Sequence, residues 1–325
     1  MDKKGSKSIY TNKDELRLFM GKYGIGVILF VMLIALIITV PSFRTTSNFI
    51  NILKQVSING MIAYGMCVVI ATGGIDLAVG AQCALVACLL GQFIMKMGMN
   101  VLLSCALAVL FCAALGFVNG FLVAKFNMFP FVVTLSTQLI IRGLAQVISS
   151  AQAISMTNAQ FKLVYLGMVG PIPFPVVMLF VVTILMYMIL HWMKLGRYIL
   201  ATGGNEKAAI ASGVSVFWTK IAAYVISGFL SGVAGVILTS KTSSAQSNLA
   251  VGYETDAVAA CVIGGTSFAG GVATTPGVLI GILIIGFIYN GMNLIGVNSY
   301  YQTIVKGIMI IAAVLLDLVM NRKNR

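Results

Sequence analysis

The stretch Lys194–Lys220, KLGRYILATGGNEKAAIASGVSVFWTK, decides how this chain is read. It is the one long interior segment that mixes Arg, Lys, Glu and Asn with small residues, and it lies between two apolar runs each long enough to cross a bilayer. A polar element so placed must sit in water or against another protein. Gly203 and Gly204 break the chain, Asn205 can act as an N-cap, and the EKAAIAS that follows has the Ala, Glu and Lys content of a short helix. Two readings stand: an ordinary loop between spans, or a small helix held at the membrane surface and offered to a partner.

Composition extends the first half of that statement to the whole chain. Of 325 residues, 59% are apolar and only 9% charged, which is not the make-up of a soluble domain. The net charge of +13 does not point to nucleic acid, because the basic residues form no stripe with interleaved aromatics. The reading is an all-α polytopic membrane protein, a single transmembrane domain over residues 1–325 with a polar N-terminal segment at 1–22. The apolar run behind that segment is too long for a signal peptide and has no small-residue cleavage site.

About ten spans are expected, near 24–40, 57–73, 77–96, 101–124, 130–148, 174–193, 219–240, 254–270, 276–296 and 300–320. Charge sets their orientation. With the N-terminus inside, fourteen basic residues fall on inner segments, Lys125, Lys194, Arg197, Lys207 and Lys220 among them; the outer segments hold five, Arg44, Lys54, Lys96, Lys162 and Lys241. The positive-inside rule then puts residues 194–220 and both termini in the cytoplasm. LAVG occurs at Leu77–Gly80 and again at Leu249–Gly252, and at the same offset Val86 and Ala87 meet Val258 and Ala259. Each copy precedes the third span of a group of five, so the two halves would form a 5+5 inverted repeat.

No set of residues for covalent chemistry is evident. GxxxxGK[ST], GxSxG and HExxH are all missing, so any energy from ATP must come from another protein. His191, the single histidine, adjoins Trp192 at a span end, where an interfacial role is expected. The six cysteines fall inside apolar runs without ligand spacing and read as small core residues. No cofactor and no metal are expected. GGTSFAGG, Gly264–Gly271, reads as helix packing or a turn rather than a phosphate cradle.

Charges in or beside spans are costly and are read individually. Asp76, in GGIDLAVGA, is either an N-cap for the third span or a residue lining a path at a backbone break. Lys306 is expected to pair with Asp256. A path for a polar solute calls for neutral hydrogen-bonding side chains and aromatics, and Gln246, Asn290, Asn293, Tyr300, Tyr301 and Gln302 are the candidates beside Asp76. Asn290 and Asn293, three apart on one helical face, could equally join two helices.

Five segments carry a resemblance: GMCVVIATGGIDLAVGA, FNMFPFVVTLSTQLIIRG, GRYILATGGNEKAAIASGV, SSAQSNLAVGYETDAVAACVIGGTSFAGG and NGMNLIGVNSYYQTIVKG. In the same order, and from about Ser57 to the C-terminus, the chain resembles the ribose-type sugar permeases of ABC importers. The resemblance implies a permease dimer in the bacterial cytoplasmic membrane, an ABC ATPase subunit docked on the cytoplasmic loops, and an extracytoplasmic sugar-binding protein that delivers a monosaccharide such as ribose. It also implies an ATPase-coupling role for Gly196, Arg197, Gly203, Gly204, Asn205 and Glu206. The 150–172 loop matches the family only loosely. The competing class, a self-sufficient channel or an ion-coupled secondary transporter, would need intramembrane titratable pairs, which are scarce here.

Overall fold

The structure, a computed structural model, describes residues 29–322, apart from the side chains of residues 313 and 316–322. The 1–22 segment and the start of the first expected span lie outside the described residues. In chain order the helices are α1 (Leu29–Thr39), α2 (Thr46–Ala71), α3 (Val79–Leu90, prolonged to Lys96 by a π turn), α4 (Val101–Phe126), α5 (Pro130–Ser149), α6 (Ala159–Leu166) and α7 (Phe174–Tyr187, prolonged to Trp192). They continue with α8 (Lys194–Gly204), α9 (Glu206–Ala211), α10 (Val216–Thr242), α11 (Tyr253–Ile263), α12 (Thr275–Leu294) and α13 (Ser299–Arg322). Seven of them, α2, α3, α4, α5, α7, α10 and α12, are long and apolar enough to cross a membrane.

The expected positions need three corrections. α2 starts at Thr46 rather than near 57, because Thr45 caps it, its side chain accepting a bond from the Asn48 N–H at 3.3 Å. The expected span at 254–270 is α11, only 11 residues, or roughly 16 Å and half a hydrocarbon layer. It stops where the Gly264 backbone lies against Gly277, and GGTSFAGG turns instead of continuing the helix. The 194–220 segment is two helices, not a loop with one: α8 runs through Gly203 and Gly204, and the break falls on Asn205 (φ −160°, ψ 102°).

α2 is the hub. Every residue from Met61 to Ala71 is buried, enclosed by α7, α10, α11 and α12. Lipid is as apolar as leucine, so close packing rather than exclusion of water must join such helices. α4 and α10 make the tightest pair: Gly116 lies against the Tyr224 carbonyl and Gly228 against that of Cys112, each approach too close for a Cβ. The outer faces of α4, α5 and α7 carry Leu102, Leu110, Leu139, Phe180 and Ile184 exposed, as lipid contact requires.

One end of the bundle gathers the C-terminus of α2, the α4–α5 turn, α8, α9 and the α11–α12 loop. At the other end α6 and two two-residue ladders close the surface: β1 (Ile154–Ser155) pairs antiparallel with β4 (Ser244–Ala245), and β2 (Met168–Val169) with β3 (Ile172–Pro173). Ser240 on α10 holds α6 there, its hydroxyl donating to the Phe161 carbonyl at 2.8 Å and accepting from the Tyr165 N–H at 3.1 Å.

Candidate functional site

α8 and α9 form a polar elbow against the bundle. The Asn205 side chain accepts from the Ala208 N–H at 3.0 Å and caps α9, as its sequence position predicts. Glu206, first in α9, meets Lys220 of α10 at 2.8 Å, with the carboxylate side chain 46% exposed. Such an exposed pair contributes little to stability, on the order of 1 kcal/mol or less, but it fixes where α9 points. Arg197 reaches back to the Trp192 carbonyl at 3.3 Å, and His191 stacks on Tyr187 with ring centres 4.3 Å apart.

Gly203 joins this elbow to the spans. A Cβ there would collide with the Ala71 carbonyl, the same oxygen that accepts from the Gly271 N–H at 3.0 Å. Three separate elements, the end of α2, the end of α8 and the α11–α12 loop, therefore meet backbone to backbone. Glycine at 203 serves this approach rather than a chain break. Beside it opens a cleft of about 420 Å³, lined by residues 72–74, the α4–α5 turn, Thr202–Glu206, Lys220 and Tyr224.

From Ala71 the chain enters the interrupted segment 72–78. Its Asp76 is fully buried: one carboxylate oxygen accepts from the Ala78 N–H at 3.1 Å, the other from the Ser227 hydroxyl at 2.8 Å. Asp76 thus caps the turn that leads into α3 and ties that turn to α10. The Ile75 carbonyl accepts from the Tyr224 hydroxyl at 3.2 Å and from Thr134 at 3.3 Å.

A second interrupted segment, 244–252, enters from the opposite end. Arg142 of α5 donates one nitrogen to the carbonyls of Ser247, at 2.7 Å, and Leu249, at 2.8 Å. Lys306 of α13 donates to the Gly252 carbonyl at 2.7 Å and pairs with Asp256 at 2.8 Å, the ion pair expected from sequence; Tyr289 donates to the same carboxylate oxygen. The two segments meet where Gly80, at the start of α3, lies against the Ala250 carbonyl and the Glu254 carboxylate, with no room for a Cβ.

The residues named for a solute path are dispersed. Asn290 exchanges two hydrogen bonds with Asn48 of α2, at 3.0 and 2.8 Å, which joins α12 to α2. Asn293 accepts from Gln302 at 2.8 Å and joins α12 to α13. Gln246 bonds Ser244 within its own turn, and Tyr301 is 65% exposed. None of these hydrogen bonds involves Asp76, whose partners are Ala78 and Ser227. Sequence reasoning passed over Ser227, Tyr224 and Thr134 and took Lys220 only as a topology-setting charge; the signal available for the first three was a hydroxyl within an otherwise apolar run.

The family described as branched-chain amino acid transport system / permease component matches residues 48–314. The ribose import permease protein RbsC of Bacillus subtilis (strain 168) is 45% identical over 300 residues, 92% of this chain and 93% of that protein. RbsC of Escherichia coli (strain K12) is 42% identical over 297 residues, covering 90% of this chain and 92% of its own length. The D-allose transport system permease protein AlsC of the same strain is 39% identical over 302 residues, 92% of each chain. No solved structure matches. On this coverage the chain belongs to the branched-chain amino acid transport system / permease component family, among its ribose-type members.

Proposed function

We propose that the chain is the membrane-spanning permease of a monosaccharide ABC importer, ribose or a related pentose or hexose being the solute. ATP is hydrolysed by a separate ATPase subunit docked on α8 and α9, and an extracytoplasmic binding protein delivers the sugar to a permease dimer in the bacterial inner membrane. The observation that carries this reading is the polar elbow fixed backbone to backbone on an interrupted span. A push on α9 reaches Gly203, then Ala71, then the segment that carries Asp76, along rigid elements. Gly196, Arg197, Gly203, Gly204, Asn205 and Glu206 are the coupling residues of this reading, with Glu206 and Arg197 placed for charge-assisted contacts with the ATPase.

Both termini on the α8–α9 side, ten crossings and a 5+5 inverted repeat complete it. The repeat draws support from the 172-residue offset between the two LAVG copies, which also pairs the Ile75 carbonyl with that of Ser247, each the acceptor of an α5 side chain. Asp76, Gln246, Asn290, Asn293, Tyr301 and Gln302 remain the path candidates. Where they bond one another or their neighbours, a conformational change must free them.

Reconstitution with the ATPase and binding protein gives the test. ATP-driven uptake of a monosaccharide is expected, and Glu206→Lys should leave ATP hydrolysis running while uptake falls by about tenfold or more, the scale of a lost charge-assisted contact. Undiminished uptake with Glu206→Lys removes the coupling role, and solute accumulation by the permease alone removes the importer reading.

A further inference from the structure

The cleft beside Gly203 has properties that a mechanical linkage does not need. Its volume, about 420 Å³, falls within the roughly 300–1,000 Å³ typical of small-molecule sites. Lys220 and Glu206 neutralise one another at its edge, so the lining offers no uncompensated charge to attract an ion. Its other lining is neutral: Thr202, a residue 2% exposed whose buried hydroxyl has no hydrogen-bond partner, Asn127, the left-handed residue that ends α4 (φ 50°), and the apolar Phe129 and Pro130. A buried hydroxyl without a partner is costly, and a χ1 rotation of Thr202 that turns it into the cleft toward a ligand hydroxyl would relieve that cost.

We propose that this cleft is a binding site for a neutral, monosaccharide-sized polyol, entered from the α8–α9 side. The identity of the polyol as the transported sugar rests on the importer reading. On that reading the site takes product, and a sugar lodged beside Gly203 occupies the space into which residues 72–74 and 202–206 would have to move during the transport cycle, so accumulated sugar slows further import.

The described cysteines are buried or half-buried, so a thiol introduced at the cleft can be followed with a hydrophilic maleimide. Met128 lines the cleft and is exposed, and Met128→Cys in nanodiscs is the reporter. D-Ribose is expected to slow alkylation in a saturable way, while glycine betaine at equal osmolality does not. Adding Thr202→Val, which keeps the shape and removes the hydroxyl, should raise the half-protecting concentration by up to about tenfold, the worth of one hydrogen bond. A size-exclusion profile matching the parent shows that both variants fold. An unprotected thiol in a folded Met128→Cys permease, equal protection by glycine betaine, or an unmoved midpoint with Thr202→Val overturns the site. ATP-driven sugar uptake alongside an unprotected thiol refutes the site alone; protection without uptake in the assembled transporter refutes the importer reading alone.

Discussion

The two interrupted segments, 72–78 and 244–252, share the motif LAVG and are secured by different chemistry. In the first the Ile75 carbonyl is held by two neutral hydroxyls, and the one charge present, Asp76, is buried and acts as acceptor. In the second the carbonyls of Ser247, Leu249 and Gly252 are held by two cations, and Asn248, at the position that matches Asp76, is exposed. The reason for any anchor is common to both: a chain that leaves helical geometry away from water must find donors for its carbonyls. Its strength differs, since a hydrogen bond from a charged donor contributes about 1.5–3 kcal/mol against roughly 1 for a neutral one. α5 braces both segments, Thr134 on one and Arg142 on the other, eight residues or about 12 Å apart along the helix. Movement of one segment can therefore be felt at the other through a single rod.

The largest effect should come from Lys306→Met. It leaves Asp256, 8% exposed, with Tyr289 as its remaining partner and takes the donor from the Gly252 carbonyl. Breaking a buried pair from one side costs about 3 kcal/mol. A clear fall in the thermal denaturation midpoint of the detergent-solubilised permease is the readout, and adding Asp256→Asn should restore part of it by removing the unpaired charge. An unchanged midpoint for Lys306→Met would mean that this segment is not held by its cations, and the contrast between the two segments would fail.

Arg142→Met should come next. It leaves the carbonyls of Ser247 and Leu249 without the guanidinium donor, but the segment keeps its Lys306 anchor and its ladder to β1, so a loss of about 2 kcal/mol is expected. Hydrogen exchange sharpens the test. Faster exchange confined to 244–252 fits a local anchor, whereas equal acceleration at 72–78 would show that α5 transmits the change along its length.

Much of this architecture was legible in the sequence, and the illegible parts have physical causes. The apolar runs coincide with the seven helices long and apolar enough to cross a membrane, and ATGGIDLAVGA announced an interruption because three glycines and an aspartate do not belong inside a membrane helix. The Lys306–Asp256 pair could be foreseen since each charge alone would be costly. α8 was missed because two glycines near its end looked like a break; their reason is the approach of Gly203 to Ala71, a contact 132 residues away that no local pattern records. The partner of Asp76 was hidden likewise, Ser227 lying 151 residues on in a run that reads as a plain apolar span. Asn290 carried two open readings, and its bonds to Asn48 favour the joining of helices. α11 was over-extended because VAACVIGGTSFAGG is apolar enough to span, while hydropathy is blind to the Gly264–Gly277 contact that ends the helix.

The smallest single effects belong to the first segment, and they separate a shared anchor from two independent ones. Tyr224→Phe removes one of two donors to the Ile75 carbonyl, and Thr134→Val removes the other together with a bond to Pro130 within its own helix. Either change alone leaves the carbonyl satisfied, so each should cost at most about 1 kcal/mol, Thr134→Val the less because its helical bond merely back-bonds a carbonyl already used. Together they leave the carbonyl orphaned, and the double variant should lose more than the sum of the two by roughly 1 kcal/mol, the scale of coupling between groups with a common partner. The denaturation midpoints of the four proteins in such a cycle measure that excess. Strict additivity would mean that water reaches Ile75 once either hydroxyl is gone; the first segment would then be the wetter of the two, and its neutral anchoring would reflect access to solvent rather than enclosure.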